Sequence, residues 1–197
     1  DVIFRLAELY FEKSKDTFLL ASDNYMTELK KFDRGEITTA PSPPKHDYTQ
    51  TVTLYRRLLK EFPNYRQIEG AYYLLGFCLS EMDKREEGNQ SYLALVCKNQ
   101  YKPPITDADV VVQAGGTPIV DGKPQYALDI YNSCQAIKKG SRFNPDAWIR
   151  VGEYHFDENQ LGKAIAAYKK VLAMGPKNND YYDEALYKLA WTYYRAD

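Results

Sequence analysis

The chain has few of the residues that build metal sites, no excess of charge and no long apolar run. It contains two His and three Cys without a C-x-x-C spacing, so the ligand pattern of a zinc site is missing. Its 26 basic and 27 acidic side chains balance, which provides no positive field for nucleic acid. No run approaches the roughly 18 apolar residues of a transmembrane helix. We therefore expect no metal, no cofactor, no nucleic-acid partner and no direct membrane insertion.

The sequence also lacks the short motifs of common enzyme classes. It contains no G-x-S-x-G, Walker loop, dinucleotide-binding glycine pattern or H-E-x-x-H. The densest ionisable cluster includes Glu153, His155 and Asp157. On a helix His155 points about 200° away from either acid, so the three side chains do not converge on one ligand. We predict that the protein is not an enzyme and that His155 is a core side chain.

The three cysteines, Cys78, Cys97 and Cys134, leave two interpretations open. Burial as small hydrophobic side chains is the default for cysteine. A disulfide between Cys97 and Cys134 is the alternative in an oxidising compartment, and it would tie an inserted loop across its base. The sequence cannot choose the pairing.

Aromatic residues, by contrast, are abundant, because 18 Tyr, 8 Phe and 2 Trp make up 14% of the chain. Apolar side chains recur at a three-to-four spacing, which predicts an all-α fold. Gly and Pro interrupt this spacing in the loop 33–47 and in the insertion 103–124, where the prolines also argue against a regular hairpin. The predicted helices cover residues 2–32, 48–62, 68–82, 86–98, 126–138, 146–157, 161–174 and 180–196.

A repeat signature stands in residues 145–178. It reads Trp148-x2-Val151-Gly152-x2-His155, then Ala164-x3-Tyr168, then Pro176. This spacing resembles a tetratricopeptide repeat, in which two helices cross closely at small residues and a proline ends the second helix. A large side chain at Gly152 or Ala164 should force the two helices apart.

The same register extends over the rest of the chain, with Gly76 and Gly88 in the places of Gly152 and Ala164. The resemblance implies a single right-handed superhelical solenoid of helix pairs over residues 1–197, with irregular insertions. Its predicted parts are an irregular repeat 1–65 containing the loop 33–47, a repeat 66–102, the insertion 103–124, a degenerate helix 125–140, a repeat 145–178 and the first helix of a further repeat, 180–197.

The resemblance implies a protein-interaction scaffold without catalysis. The connectors at 62–65 and 179–185 look like those of bacterial cell-envelope members of the family, such as outer-membrane assembly lipoproteins and the Tol-Pal coordinator. The repeats also resemble envelope proteins of gliding and predatory bacteria. A location in the periplasm or cell envelope is the expectation, and a cytoplasmic adaptor or a helical accessory domain of an enzyme are the alternatives.

In this family the first helices of the repeats line a concave groove, and here those positions carry aromatic and charged side chains. Aromatic residues beside charges of both signs suit a protein or peptide partner, because Tyr and Trp offer large rigid contact area. Burial of the same face by a tight superhelix is the alternative. The predicted groove residues are Phe4, Phe11, Tyr73, Phe77, Arg150, Glu153, Phe156, Asp157, Tyr187, Lys188, Trp191, Tyr194 and Arg195.

One partner class of the family is not expected. The clamp that holds chaperone C-termini needs Lys and Asn on the groove face. The positions of the clamp Asn are taken here by Glu8, Phe77, Glu153 and Trp191.

The two ends of the chain suggest a longer protein. The chain begins at Asp1 rather than Met, and charges throughout its first twenty residues show no signal peptide. The last helix presents Leu186, Leu189 and Tyr193 on a side that no second helix follows to cover. We expect further repeats beyond it, or self-association through this uncapped end.

Overall fold

The protein is described by a computed structural model that covers residues 1–97, 141–177 and 179–196, and the backbone of two short strands between them. The regular secondary structure of the described residues is helical apart from these strands, which confirms the predicted all-α class. The helices are α1 (Val2–Asp33), α2 (Thr49–Glu61), α3 (Ile68–Glu81), α4 (Arg85–Val96), α5 (Asn144–Asp157), α6 (Leu161–Leu172) and α7 (Tyr182–Ala196). The predicted helix 126–138 lies outside the described residues.

The two strands are β1 (Ile119–Val120) and β2 (Lys123–Pro124), and they pair antiparallel with Ile119 opposite Pro124. The sequence argues against a regular hairpin here, and the structure differs by containing this minimal one. Each strand is two residues long and, among the described residues, pairs only with the other strand, which leaves Pro124 in an edge strand, where a sheet tolerates proline. The rest of the insertion 103–124 lies outside the described residues.

Among the described helices, each packs on the next one in the order α1 to α7, and α5 also contacts α7. The contact of α4 with α5 holds although more than forty residues separate the two helices in sequence. The described helices are therefore linked by successive contacts from α1 to α7.

The hairpin of α3 and α4 is repeated by α5 and α6 after 76 residues. Both first helices have 14 residues and both second helices have 12. The turn residues Asp83 and Asn159 both take a left-handed backbone, with φ of 62° and 57°. Asp and Asn adopt this conformation more readily than other non-glycine residues. The two hairpins are therefore equivalent residue for residue.

A glycine facing a tyrosine sets the crossing of each hairpin. A Cβ placed on Gly152 would lie 2.3 Å from the Tyr168 ring, and a Cβ on Gly76 would lie 2.8 Å from the Tyr92 ring. In both pairs the tyrosine follows the glycine by 16 residues. This confirms the prediction that Gly152 is small because two helices approach closely there.

The core lies between the helices of these hairpins and continues to α1 and α2. Its aromatic members include the five that the repeat register predicts: Tyr55, Tyr72, Tyr92, Trp148 and Tyr168 are all buried. His155 is buried too, as predicted for a core side chain, and its Nδ1 donates a hydrogen bond to Oε1 of Gln160 at 3.1 Å.

One buried ion pair joins α2 to α4. Nη2 of Arg56 lies 2.6 Å and 2.7 Å from the two carboxylate oxygens of Glu87, and the Arg56 side chain is buried. A buried charge needs such a partner, because its desolvation costs several kcal/mol otherwise. No sequence pattern predicts this pair, since the two residues are 31 positions apart.

Candidate functional site

A groove of about 640 Å³ lies between α5 and α7. We call it the α5–α7 groove. Both helices are first helices of the repeat, and Tyr182 begins α7 38 residues after Asn144 begins α5. The shared register places the same side of each helix toward the groove. The lining residues are Arg85 from α4, Glu153, Phe156 and Asp157 from α5, Tyr168 from α6, and Tyr187, Lys188 and Trp191 from α7.

Three exposed aromatic rings form one wall of this groove and its rim. Trp191 meets Tyr187 edge to face, with ring centroids 6.2 Å apart, and meets Tyr194 in the same way at 5.7 Å. The exposed fractions are 64% for Tyr187, 51% for Trp191 and 76% for Tyr194. Edge-to-face contacts hold the rings in place while leaving their faces in water. Such a wall is suited to bury apolar anchors of a ligand.

Glu153 of α5 pairs with two basic side chains, one across the groove and one on its own helix. Nζ of Lys188 lies 2.7 Å from Oε1 of Glu153, and Nη1 of Arg150 lies 3.3 Å from the other oxygen of Glu153. Burial lowers the pKa of Lys188, but the hydrogen bond and the charge of Glu153, with those of Glu184, outweigh this and raise the pKa overall. Lys188 is therefore firmly cationic at neutral pH.

Two more contacts tie the groove to its neighbours. Arg85 at the start of α4 pairs with Asp157 at the end of α5. Arg195 lies over the ring of Phe156, with its guanidinium carbon 4.7 Å from the ring centroid, and donates to the Phe156 carbonyl. Six of the predicted residues line the groove, and three more lie at its border. The six are Glu153, Phe156, Asp157, Tyr187, Lys188 and Trp191, and the three are Arg150, Tyr194 and Arg195.

The structure corrects the prediction for Phe4. The sequence register places Phe4 on the groove face, whereas the side chain is 4% exposed and its ring meets those of Tyr55 and Tyr65. Tyr65 belongs to the connector that follows α2, and the long loop after α1 lets this connector cover the N-terminal end of α1. Phe4 is thus a core residue.

The remaining predicted residues, Phe11, Tyr73 and Phe77, lie away from the α5–α7 groove and are partly buried. Phe11 stacks on Tyr48 and meets Phe77 edge to face. Tyr73 stacks on the ring of Phe143, and its hydroxyl donates to Asp146. Phe11 and Tyr73 therefore hold neighbouring helices together, while Phe77 lines a second cavity.

This second cavity has a volume of about 110 Å³ and lies where α3, α4 and α5 meet. It shares Arg85 and Glu153 with the α5–α7 groove. Phe77, Arg150 and Glu153 of this cavity are among the predicted residues. Arg85 and Asn89 are not, because they belong to a second helix of the repeat, whereas the groove of the family is lined by first helices.

Cysteine and metal chemistry add little to the described site. Cys78 is a free, buried thiol, and burial raises its pKa, so it is unreactive. Cys97 is disulfide-bonded, and Cys134 lies outside the described residues. Within residues 1–97, 141–177 and 179–196, no group of His, Cys, Asp and Glu side chains could hold a metal ion.

None of the helices in the described part of the chain has both the length and the hydrophobicity that a bilayer crossing requires. The chain matches no protein-family model, and comparisons with curated proteins and with solved structures give no match either.

Proposed function

We propose that the protein is a non-catalytic interaction scaffold that binds a protein or peptide segment in the α5–α7 groove. The exposed aromatic wall of Tyr187, Trp191 and Tyr194 is the observation that carries this proposal. Aromatic anchors supply most of the binding energy in protein interfaces, and a scaffold gains by keeping them exposed and fixed before the partner arrives.

The charges around the wall indicate the chemistry of the partner. Lys188, Arg150 and Arg195 stand beside Glu153 and Asp157, so neither sign dominates. A segment with apolar side chains and flanking charges of both signs fits this border, in an extended or helical conformation. A nucleic acid does not, because it needs a surface of one sign.

The equivalence of the hairpins α3–α4 and α5–α6 supports the further proposal of a tetratricopeptide-like solenoid. Each hairpin contains the close glycine and tyrosine pair of the repeat signature, and α7 begins a third unit in the same register. In a right-handed superhelix of such units the first helices would line one concave surface, which includes the α5–α7 groove.

A place in a bacterial cell-envelope complex remains a proposal from the sequence resemblance alone. A cytoplasmic adaptor and a helical accessory domain of an enzyme are the alternatives. A signal sequence or lipid-attachment motif in a longer chain would favour the envelope, and a catalytic domain there would favour the accessory role.

Self-association through the end face of α7 is also proposed. This face carries the exposed side chains Leu186 and Tyr193. Sedimentation of the chain and of its Tyr193→Glu variant would test it, and a monomer at all concentrations would rule it out.

The groove is tested by replacing Trp191 and Tyr194 together with Ala. Peptides selected from a displayed random library against the full chain provide the probe, and calorimetry measures their Kd. We expect the double variant to bind about thirtyfold more weakly, equivalent to about 2 kcal/mol, with unchanged helical content.

Phe62→Ala is the matched control, because Phe62 is 50% exposed, close to the 51% of Trp191, and lies at the end of α2, away from the α5–α7 groove. It should leave the Kd unchanged. Selected peptides that bind the double variant as tightly as the unaltered chain would move the site to another surface.

A further inference from the structure

The cavity beside the α5–α7 groove contains a buried amide. Asn89 of α4 is 2% exposed and lines the cavity with Phe77 and Tyr92. Its Oδ1 accepts no hydrogen bond from any of the described residues. Burying a carbonyl oxygen without a donor is unfavourable, so this oxygen still needs a hydrogen-bond donor.

Helix packing does not require an amide at this position. Asn89 stands three residues before Tyr92, and the equivalent residues of the other second helices are Val52, before Tyr55, and Ile165, before Tyr168. Both are apolar, and Val52 is buried in the core. The polar side chain in α4 is therefore an exception to the repeat and not a consequence of it.

The charged groups around the cavity already have partners. Arg85 pairs with Asp157, Glu153 pairs with Lys188, and Glu81 lies 3.3 Å from His46. A charged ligand group would have to break one of these pairs. The group that the cavity lacks is a neutral hydrogen-bonding partner small enough for about 110 Å³.

We propose that Asn89 binds a main-chain peptide group of the segment held in the α5–α7 groove. The peptide N–H donates to Oδ1 of Asn89, and Nδ2 of Asn89 donates to a carbonyl oxygen of the segment. The cavity and the groove share Arg85 and Glu153 and therefore lie next to each other, and in this proposal one segment extends from the groove into the cavity. This inference rests on the proposed function. It adds a contact that recognises the main chain of the bound segment and not its side chains.

The first experiment replaces Asn89 with Val, the residue that α2 carries at the equivalent position. The peptides selected against the full chain serve as the probe. We expect their Kd to rise about tenfold, and the thermal midpoint to stay the same or rise, because the variant buries no unpaired carbonyl. An unchanged Kd in a folded variant overturns the inference. If the Val variant does not fold, Asn89→Leu takes its place.

The second experiment separates a direct contact from a structural effect. Each backbone N–H of a selected peptide is replaced in turn by an ester oxygen, which removes one donor. One ester should weaken binding to the unaltered chain about tenfold and have no further effect on the Asn89→Val variant. Ester effects that are equal in both chains overturn the inference.

The same peptides distinguish this inference from the proposed function. Binding that depends on Trp191 and Tyr194 but not on Asn89 overturns the inference and leaves the proposed function standing. Binding that depends on Asn89 alone supports the contact and overturns the aromatic groove. A selection that gives no binding peptide overturns both.

Discussion

The hairpins α3–α4 and α5–α6 share a backbone and differ in what surrounds it. Their helix lengths, left-handed turns and glycine–tyrosine contacts coincide after 76 residues. Yet Asn89 in one corresponds to Ile165 in the other, and Phe77 corresponds to Glu153. A few small and aromatic residues therefore determine how the helices of each hairpin cross. The neighbouring positions are then free to acquire different chemistry.

The two cavities show the result of this freedom. The one beside Phe77 has about 110 Å³ and contains a buried amide, while the α5–α7 groove has about 640 Å³ and an aromatic wall. At equivalent positions on successive first helices, Glu153 of α5 is replaced by Trp191 in α7. The same helix arrangement thus places a cavity with a buried amide next to a groove with an aromatic wall.

The largest effect is expected from Trp148→Ala, which tests whether the core positions differ from the groove positions. Trp148 is buried at an inter-helix contact, and its removal should lower the free energy of unfolding by about 4 kcal/mol. Trp191→Ala is the control. Because Trp191 is half exposed, its loss should cost less than about 1 kcal/mol. Urea unfolding followed by circular dichroism measures both, and equal losses would refute the division.

The next effect compares the glycines of the two hairpins. Gly152→Ala should cost about 3 kcal/mol and Gly76→Ala about 2 kcal/mol, because the new Cβ comes closer to Tyr168 than to Tyr92. Thermal unfolding measures both.

Gly162→Ala serves as the control for these glycine variants, since a Cβ there meets nothing within 4 Å and Ala favours a helix. The Tyr168→Leu exchange should recover part of the loss in Gly152→Ala. If all three alanine variants are equally stable, close approach does not set the crossing.

The fold is largely predictable from the sequence because its signals are local. Proline and glycine end the helices, and the spacing of Gly152, Ala164 and Tyr168 identifies a hairpin. The aromatic residues of α7 follow from the same register, which places Trp191 on an exposed face. Local periodicity therefore suffices wherever neighbouring helices repeat one pattern.

The features that the sequence does not predict have a different cause. They depend on contacts between residues that are distant in the chain. Phe4 is buried by the connector at Tyr65, and the loop between α1 and α2 hides this relation from the sequence. Arg85 reaches Asp157 across 72 positions, and Asn89 faces a cavity made by three helices. The spacing of residues within one helix cannot predict such contacts between separate helices and loops.

The smallest effect concerns pH and compares His155 with Leu79, which occupies the equivalent position of the other hairpin. Burial, and then the charge of Lys163, lower the pKa of His155 from 6.5 to about 4. The unfolded chain therefore takes up a proton first as the pH falls below 6.5, which favours unfolding. We expect the free energy of unfolding to fall by about 2 kcal/mol between pH 7 and pH 5, in excess of that in a His155→Leu variant. Urea unfolding at a series of pH values measures the difference, and parallel curves for the two chains would show that His155 does not titrate in this window.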